Sequence, residues 1–321
     1  MSRFVSHLAV ELDAFLTFKR TMGSPYVRAE FTLRSFDRFV LGHARRHRRF
    51  RLDEAVLAWL ASQSKDRKPV SVTVDLGAVR QFCLHRRRRD PAAFVPGRVW
   101  APQSTKSDFL PFVFTDAQIR DLLQRATSLD GPAFRGVLFR ALLLVMYCTG
   151  VRPGEALRLR MKDVDLDRGV LFIAESKGRA RWVPFERSLE RELGRYVVAR
   201  RAIAAEGSDD PFFVDPRGRA LRSKTAGYTV RALLVDAGLK PTVGRVGPRP
   251  YDLRHTFAVH RLTRWYRSGV DINGRLPWLS AYMGHINILG TETYLTATPE
   301  LLAIASNRFG RHVAQRSESR A

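Results

Sequence analysis

Five polar side chains that lie at the ends of predicted secondary-structure elements have the types needed for phosphoryl transfer. Two arginine guanidinium groups can hold both non-bridging oxygens of a phosphate and stabilise a pentacoordinate transition state without a metal. A tyrosine hydroxyl can be the nucleophile and form a covalent intermediate that conserves bond energy. In chain order the five residues are Arg152, Lys177, Arg254, His285 and Tyr294. As a set they suit chemistry at a DNA phosphodiester.

Each of these residues, taken alone, has an ordinary structural explanation. An arginine at a helix start usually lies on the surface, a lysine in a hairpin is usually solvated, and a single tyrosine is more often half-buried in a core. Arg179 or Arg181 could also stand in the place of Lys177. Only the ordered set favours a site, because none of the single-residue explanations predicts it. No phosphate-binding loop, dinucleotide-binding glycine pattern, zinc spacing or nucleophile elbow competes with it.

Helices and one hairpin must position these side chains. A mostly apolar helix over 134–148 ends at Gly150, just before Arg152. Two β-type runs, over 169–175 and 182–185, predict a hairpin with Lys177 near its tip. Further helices are predicted over 115–126, 187–204, 223–237, 253–268, 276–283, 290–295 and 299–307.

Composition excludes several classes of protein. The 321 residues carry a formal net charge of +24, but 45% are apolar and 10% aromatic, so the chain can bury a core and is not disordered. Two cysteines exclude a disulfide framework and a thiolate zinc cluster. The longest apolar run, at 141–147, is too short for a bilayer, and the first residues lack a signal-peptide pattern. We therefore expect a cytoplasmic, nucleoid-associated protein without a membrane partner.

The positive charge is spread evenly along the chain. Residues 1–100 carry a net charge of +11 and residues 101–321 a net charge of +13, which suits a protein that touches a polyanion with both parts. An arginine-rich proteome, or a solvated helix face, would also explain the charge. The arginines expected to contact phosphates of double-stranded DNA are Arg45, Arg46, Arg48, Arg49, Arg86, Arg87, Arg88 and Arg89.

The first 90 residues have the pattern of a small helical bundle. Apolar residues recur at helical spacing in four segments, and Ser24-Pro25 predicts an N-cap and first-turn proline for the second helix. Four prolines between 91 and 111, with few periodic apolar residues, predict an extended linker. The residues after 310 are polar and predict a loose tail.

Five motifs, met in this order, resemble those of the tyrosine recombinase (phage integrase) family. They are Thr-Gly-Val-Arg-Pro-Gly-Glu at 149–155, the hairpin lysine, Tyr-Asp-Leu-Arg-His-Thr-Phe-Ala at 251–258, Met-Gly-His at 283–285 and Thr-Glu-Thr-Tyr at 291–294. Any one motif is weak, whereas five in the family's order and approximate spacing are specific. They cover about residues 112–310.

The resemblance implies a mainly α fold with a small antiparallel β-sheet (α+β). It implies a helical core-binding (SAM-like) domain at 1–90, a linker at 91–111, a catalytic domain at 112–310 and a flexible tail at 311–321. The two domains would close around duplex DNA as a clamp.

The resemblance also implies a role for each matched residue. Tyr294 would attack the scissile phosphate, form a 3′-phosphotyrosyl linkage and release a 5′-hydroxyl, while Arg152 and Arg254 hold the phosphate. The other implied roles are protonation of the leaving 5′-oxygen by Lys177, a hydrogen bond from His285 to a non-bridging oxygen, and orientation of the site by Glu155.

One position departs from the family pattern. The family usually has a histidine three residues before the second arginine, where it helps to remove the proton of the nucleophile; this chain has Tyr251. A phenol with a pKa near ~10 is a poor base at neutral pH, so Tyr251 would only position the phosphate and the proton acceptor stays open. His255 follows Arg254 directly, and we expect it to point elsewhere and to be structural.

The resemblance implies recombination of DNA without ATP, metal or another cofactor, by a homotetramer that brings two DNA sites together. Other recombinases of the same mobile element are further expected partners. Three alternatives stay open: a type IB topoisomerase, an accessory DNA-binding member of a recombinase system with weak or no cleavage, and, within recombination, a role as integrase, transposase or resolvase.

Overall fold

The computed structural model describes most of the chain and divides it into two compact units, Met1–Asp108 and Phe109–Ala321. The described residues are 4–46, 49–65, 67–102, 111–174, 180–204, 207, 209–244, 246–292, 294, 303 and 306. Lys177, Arg48, the predicted tail at 311–321 and most of the helix predicted over 299–307 lie outside them.

The N-terminal unit is a bundle of four helices, as the periodicity predicts. They are α1 (Ala9–Thr21), α2 (Val27–Arg46), α3 (Leu52–Ser64) and α4 (Pro69–Arg87). Each helix turns its apolar face inward, and Trp59 packs edge-on against Phe36 at a ring separation of 5.2 Å. The predicted start of α2 is wrong. The helix begins at Val27, because Tyr26 has a φ of 52° and the backbone before it is not helical.

The first part of the segment that composition predicts to be an extended linker packs against the N-terminal unit. Phe94, Val95 and Trp100 pack against the core of the N-terminal unit, and Trp100 closes a short 3₁₀ turn, Arg98–Trp100. The chain up to residue 102 therefore continues the N-terminal unit, because its aromatic side chains find apolar surface there.

The C-terminal unit is built around one buried helix. Its helices are α5 (Asp116–Thr127), α6 (Ala133–Thr149), α7 (Pro153–Ala156), α8 (Arg187–Arg201), α9 (Ser223–Asp236), α10 (Asp252–Arg267), α11 (Ile272–Met283) and α12 (Leu289–Glu292). Thr115 and Gln118 form the expected capping box at the start of α5. Helix α6 is apolar on most sides because α5, α8 and α10 all pack against it.

A three-stranded antiparallel sheet lies against this core, with β1 (Val164–Asp165), β2 (Val170–Ile173) and β3 (Arg181–Pro184) in that order. The pairing of β2 with β3 confirms the predicted hairpin, while the two-residue strand β1 was not predicted. Leu171 and Val183, directly opposite each other, turn inward to the core.

Helices α10 and α11 form a second apolar cluster in this unit, and the side chain of Tyr294 packs into it. Helix α11 begins four residues before its predicted start. The Asp271 side chain accepts hydrogen bonds from the main-chain N–H groups of Asn273 (3.0 Å) and Gly274 (3.2 Å), and this cap outweighs the breaking tendency of Pro277 inside the helix. Across the described part of the chain, every helix is too short or too polar to cross a membrane.

Candidate active site

The turn between α6 and α7 places Arg152 at the start of α7. Gly150 ends α6 in the left-handed conformation, with a φ of 61°, and a Cβ there would collide with the ring of Phe257 on α10. Glycine is therefore required both by the backbone conformation and by the close approach of α10. The same turn brings the Gly150 carbonyl to the second arginine of the site.

Arg254, in the first turn of α10, is fully buried. Its guanidinium donates to the carbonyls of Gly150 (2.6 Å) and Met283 (2.7 Å), which end α6 and α11. The Nε of Arg254 is also buried and makes no hydrogen bond within the described residues. Arg254 thus fixes the ends of two helices with two donors and keeps a third donor inside the site.

Glu155 holds the other two guanidinium groups of the site. Its Oε1 accepts from Arg152 Nη1 at 2.7 Å and its Oε2 from Arg181 Nη2 at 2.8 Å, while Oε2 also caps the Arg152 main-chain N–H at 3.0 Å. Burial raises the pKa of the Glu155 carboxyl, but the hydrogen bonds from Arg181 and Arg152 outweigh burial and lower the pKa to about 2. Glu155 is therefore a carboxylate at any pH where the protein works.

Three guanidinium groups act on one another and on a carboxylate at this site. Arg152 and Arg181 both donate to the Glu155 carboxylate, and the charge of Glu155 also acts on Arg254. Burial lowers the pKa of Arg254, and the charge of Arg152 lowers it further. An anion bound between Arg152 and Arg254 would relieve this repulsion, so the electrostatics of the site favour a phosphate.

The end of α11 supplies a backbone acceptor and a histidine. Gly284 has a φ of 67°, and its carbonyl accepts from Arg152 Nη2 at 3.1 Å. The Nδ1 of His285 lies 2.6 Å from the hydroxyl of Thr291. Burial and then the charges of Arg254, Arg152 and Arg181 lower the pKa of His285 to about 4. His285 is therefore neutral at pH 7, and its imidazole can hydrogen-bond an oxygen without adding charge.

Tyr294 lies among these groups and is only 3% exposed. Its ring stacks on that of His285, with the ring centres 6.1 Å apart. Its hydroxyl lies 3.2 Å from Nδ1 of His255. Burial raises the pKa of the Tyr294 hydroxyl, while the charge of Arg254 acts in the opposite direction. The phenol is therefore protonated at neutral pH and needs a proton acceptor before it can act as a nucleophile.

The expectation for His255 is wrong, because its imidazole points at Tyr294. The expectation assumed that a residue next to Arg254 must face another way. The helix turns by only about 100° per residue, so both side chains reach the same site from the first turn of α10. The ring of Tyr251, one helical turn earlier, lies edge-on to His255 with centres 5.0 Å apart. His255 lies within the motif at 251–258, and its place in that motif beside Arg254 is the signal that could have suggested it.

The structure thus brings together most of the residues expected at the site. Those gathered here are Arg152, Glu155, Tyr251, Arg254, His285 and Tyr294, with His255 and Arg181 in addition. Arg181 lies at the start of β3, and its Nε donates to the Tyr282 carbonyl at 2.9 Å, so it ties the sheet to α11. Within the described residues, no group of three histidine, cysteine or acidic side chains could hold a metal ion.

The arginines of the N-terminal unit differ in their surroundings. Arg45, Arg46 and Arg49 are exposed at and just after the end of α2. In the arginine run at 86–89, the first three side chains contact neighbouring groups. Arg86 pairs with Glu11, Arg87 donates to the Ala93 carbonyl at 3.0 Å, Arg88 lies 5.0 Å from the ring centre of Phe18, and Arg89 is exposed.

Comparisons with known proteins place these motifs in a wider context. The profile of the Phage integrase family matches residues 113–300. A Sinorhizobium fredii protein named as an integrase/recombinase, y4rB, is 33% identical over 82% of this chain and 85% of its own length. The tyrosine recombinase XerD of Xanthomonas axonopodis pv. citri is 30% identical over 70% of this chain and 71% of its own length.

Solved structures support the same fold. The Tn1549 transposon integrase in complex with a circular intermediate DNA has a TM-score of 0.67 at 16% identity, over 93% of this chain and 99% of that one. The XerH site-specific recombinase bound to difH substrate, in a pre-cleavage complex, has a TM-score of 0.63 at 18% identity, over 86% of this chain and 76% of that one.

Proposed function

Because the chain belongs to the phage integrase family of tyrosine recombinases, we propose that it is a site-specific recombinase whose nucleophile is Tyr294. The Tyr294 oxygen forms a bond to the scissile phosphorus, and the bond from phosphorus to the 5′-oxygen breaks. The products are a 3′-phosphotyrosyl linkage and a free 5′-hydroxyl. Attack by that hydroxyl, or by one from a second duplex, reverses the step and rejoins the strand without another energy source.

The observation that carries the proposal is that the charges of Arg152 and Arg254 both act on the buried hydroxyl of Tyr294 and on the imidazole of His285 that stacks on it. Arg152 and Arg254 hold the non-bridging oxygens of the phosphate and stabilise the charge of the transition state. His285, which is neutral, donates a hydrogen bond to one of these oxygens. Glu155 keeps Arg152 in place, and Lys177 delivers a proton to the leaving 5′-oxygen.

A role in moving a mobile element, by integration or transposition, is the biological part of the proposal. The S. fredii relative is named as an integrase/recombinase, and a transposon integrase shares the fold. Recombination requires two duplexes at once, so the active form is a tetramer of this chain on two copies of its DNA site, alone or with other recombinases of the element.

Covalent capture from a randomised pool of DNA tests the nucleophile and selects the DNA site in one experiment. The full chain is incubated with nicked duplexes whose central sequence is randomised. The nick lets the short fragment that carries the released 5′-hydroxyl diffuse away, so the strand cannot be rejoined and the adduct is trapped. Protein–DNA adducts that survive denaturation are recovered and sequenced. We expect the wild type to enrich one sequence and Tyr294→Phe to give no adduct while it binds the selected duplex with unchanged affinity. Equal adduct from Tyr294→Phe would overturn the assignment.

The same experiment separates the alternatives. An accessory DNA-binding protein, which Tyr251 in place of histidine favours, would bind duplex DNA and give no adduct on any sequence. A type IB topoisomerase would form adducts without a consensus sequence and would relax supercoiled plasmid that lacks the selected site. A recombinase joins two plasmids, or inverts the segment between two sites, only when the selected sequence is present.

A further inference from the structure

The first turn of α10 contains a chain of three polar groups that ends at the nucleophile proposed above. Asp252 and His255 are three residues apart, so they lie on adjacent positions of one helix face. The His255 Nε2 lies 3.7 Å from Asp252 Oδ1, and the His255 Nδ1 lies 3.2 Å from the Tyr294 hydroxyl oxygen. The imidazole thus stands between a carboxylate and a phenol.

Asp252 favours a proton on Nε2 of His255, the ring nitrogen that lies away from Tyr294. Its carboxylate is 1% exposed and is held by the main-chain N–H of Arg249 at 2.7 Å and by the Arg249 guanidinium at 3.3 Å. Negative charge beside Nε2 favours the tautomer that carries its N–H there, which leaves the Nδ1 lone pair directed at Tyr294. In this arrangement the Tyr294 hydroxyl donates and Nδ1 accepts.

We propose that His255 is the proton acceptor for Tyr294 and that Asp252 is its positioning residue. The inference rests on the proposed function and deepens it. As the Tyr294 oxygen bonds to phosphorus and the 5′-oxygen leaves, the phenol proton moves to Nδ1, and the resulting imidazolium faces Asp252. When the strand is rejoined, Nδ1 returns the proton to the phenol oxygen as that oxygen leaves phosphorus.

The helical repeat explains how α10 can present an imidazole although Tyr251 stands where the family pattern usually has a histidine. Tyr251 and His255 are four residues apart and lie on the same face of the helix, one turn of about 5.4 Å from each other. The imidazole of His255 therefore lies one turn beyond Tyr251, next to the nucleophile. Tyr251 packs against it edge-on and leaves the lone pair of Nδ1 to Tyr294.

The charges around His255 keep the ring neutral and able to accept a proton. Burial lowers its pKa below the ordinary value, Asp252 raises it, and Arg249 and Arg254 lower it. Among the residues that the structure describes, the other titratable groups that face His255 are Tyr251 on its own helix, and Tyr294 and His285 from the segment after α11. A bound phosphate compensates the arginine charge, so substrate binding raises the pKa of His255 just when the proton must be transferred.

The test is the pH dependence of single-turnover cleavage of the selected nicked duplex by the full chain. Wild-type cleavage declines at acid pH as His255 becomes protonated. His255→Gln cleaves at least 100-fold more slowly at pH 7 and loses this acid limb. Added imidazole restores cleavage to His255→Ala in proportion to its concentration. In that background, Tyr251→His returns an imidazole one turn earlier and raises the rate at least 10-fold.

Two further variants separate a chemical role from a structural one. His260→Gln, on the same helix but bonded to the hydroxyl of Tyr147 at 3.1 Å, cleaves at the wild-type rate. Asp252→Asn removes the negative charge and moves the acid limb of the profile to lower pH. Wild-type adduct together with an unchanged rate and profile in His255→Gln would overturn the role of His255 alone, as would a slow His255→Ala that imidazole does not restore. Absence of wild-type adduct on every duplex would instead overturn the proposed function.

Discussion

At the scale of the residue, Glu155 holds two arginines of the site in place. It is 3% exposed, and it meets Arg152 and Arg181 with both oxygens. Removing one partner of a buried ion pair leaves the other charge uncompensated, which costs more than the pair contributes. Here the loss would remove the carboxylate that both Arg152 and Arg181 contact.

We therefore predict that Glu155→Gln lowers the free energy of unfolding of the C-terminal unit by about 3 kcal/mol at pH 7. The folded-state pKa of about 2 lies below the ordinary value of 4.5, so the stabilisation is present above pH 4.5 and is lost as the pH falls toward 2. Urea unfolding at pH 7 and at pH 3 measures both effects, and the difference between variant and wild type shrinks at pH 3. Glu186→Gln, which removes an exposed carboxylate of the same unit, is the control and changes neither value. A difference that does not depend on pH would contradict the role given to the charge.

At the scale of the element, two helices end in left-handed glycines whose carbonyls hold the two arginines that we propose bind phosphate. Gly150 ends α6 and binds Arg254, and Gly284 ends α11 and binds Arg152. A C-terminal carbonyl of a helix carries partial negative charge and lacks a partner within the helix. Each arginine therefore satisfies a helix end, and the helix end holds the arginine where we propose that it binds phosphate.

Gly284→Ala tests this coupling of helix end and site. A Cβ at this position would lie 2.6 Å from the Arg181 guanidinium, which Glu155 and the Tyr282 carbonyl hold in place. We expect a loss of about 1–2 kcal/mol from the left-handed backbone and about 1–3 kcal/mol more from crowding, with slower cleavage.

The matched control for this variant is Gly269→Ala. Gly269 follows α10 with a φ of 75°, but a Cβ there would meet nothing within 4 Å. The Gly269→Ala variant should lose only the stability that the left-handed backbone costs, and it should keep the wild-type cleavage rate. Thermal unfolding and single-turnover cleavage measure the two quantities, and equal effects of the two substitutions would rule out the crowding of Arg181.

At the scale of the whole molecule, the net charge of +24 supports salt-sensitive binding to DNA, but the arginines are not equivalent. Arg86 pairs with Glu11, and Arg88 covers an aromatic ring, so part of the run at the end of α4 stabilises its own unit. The exposed arginines at the end of α2 are better placed to meet phosphates.

We predict that replacing Arg45, Arg46 and Arg49 together by alanine weakens DNA binding and makes it less sensitive to salt. The slope of log affinity against log salt concentration should fall in magnitude by about 0.9 for each arginine that contacts a phosphate. Arg51→Ala is the control, because Arg51 is exposed nearby but donates to Asp53 at 2.7 Å. Fluorescence anisotropy with the selected duplex at several salt concentrations gives the slopes, and an unchanged slope in the triple variant would place the contacts elsewhere.

The sequence alone determined which residue types the site contains and which elements carry them. Helical periodicity, the glycine after α6 and the β-type runs predicted α6, α10 and the hairpin, because each depends on local spacing and backbone preference. The ordered motifs likewise marked Arg152, Arg254, His285 and Tyr294. The start of α11 was missed because a side-chain cap at Asp271 outweighs the proline that local preference treats as a breaker.

Only the tertiary structure decided which of these groups meet and what each can do. Arg181 donates to Glu155 because the sheet packs beside α7 and α11. The spacing of these residues along the chain does not predict this contact. His255 reaches Tyr294 across 39 residues of sequence because α10 and the segment after α11 share one apolar cluster. The sequence specifies the type of each side chain. Folding decides which partners it meets, and the direction of its pKa shift depends on burial and on charges that come from distant parts of the chain.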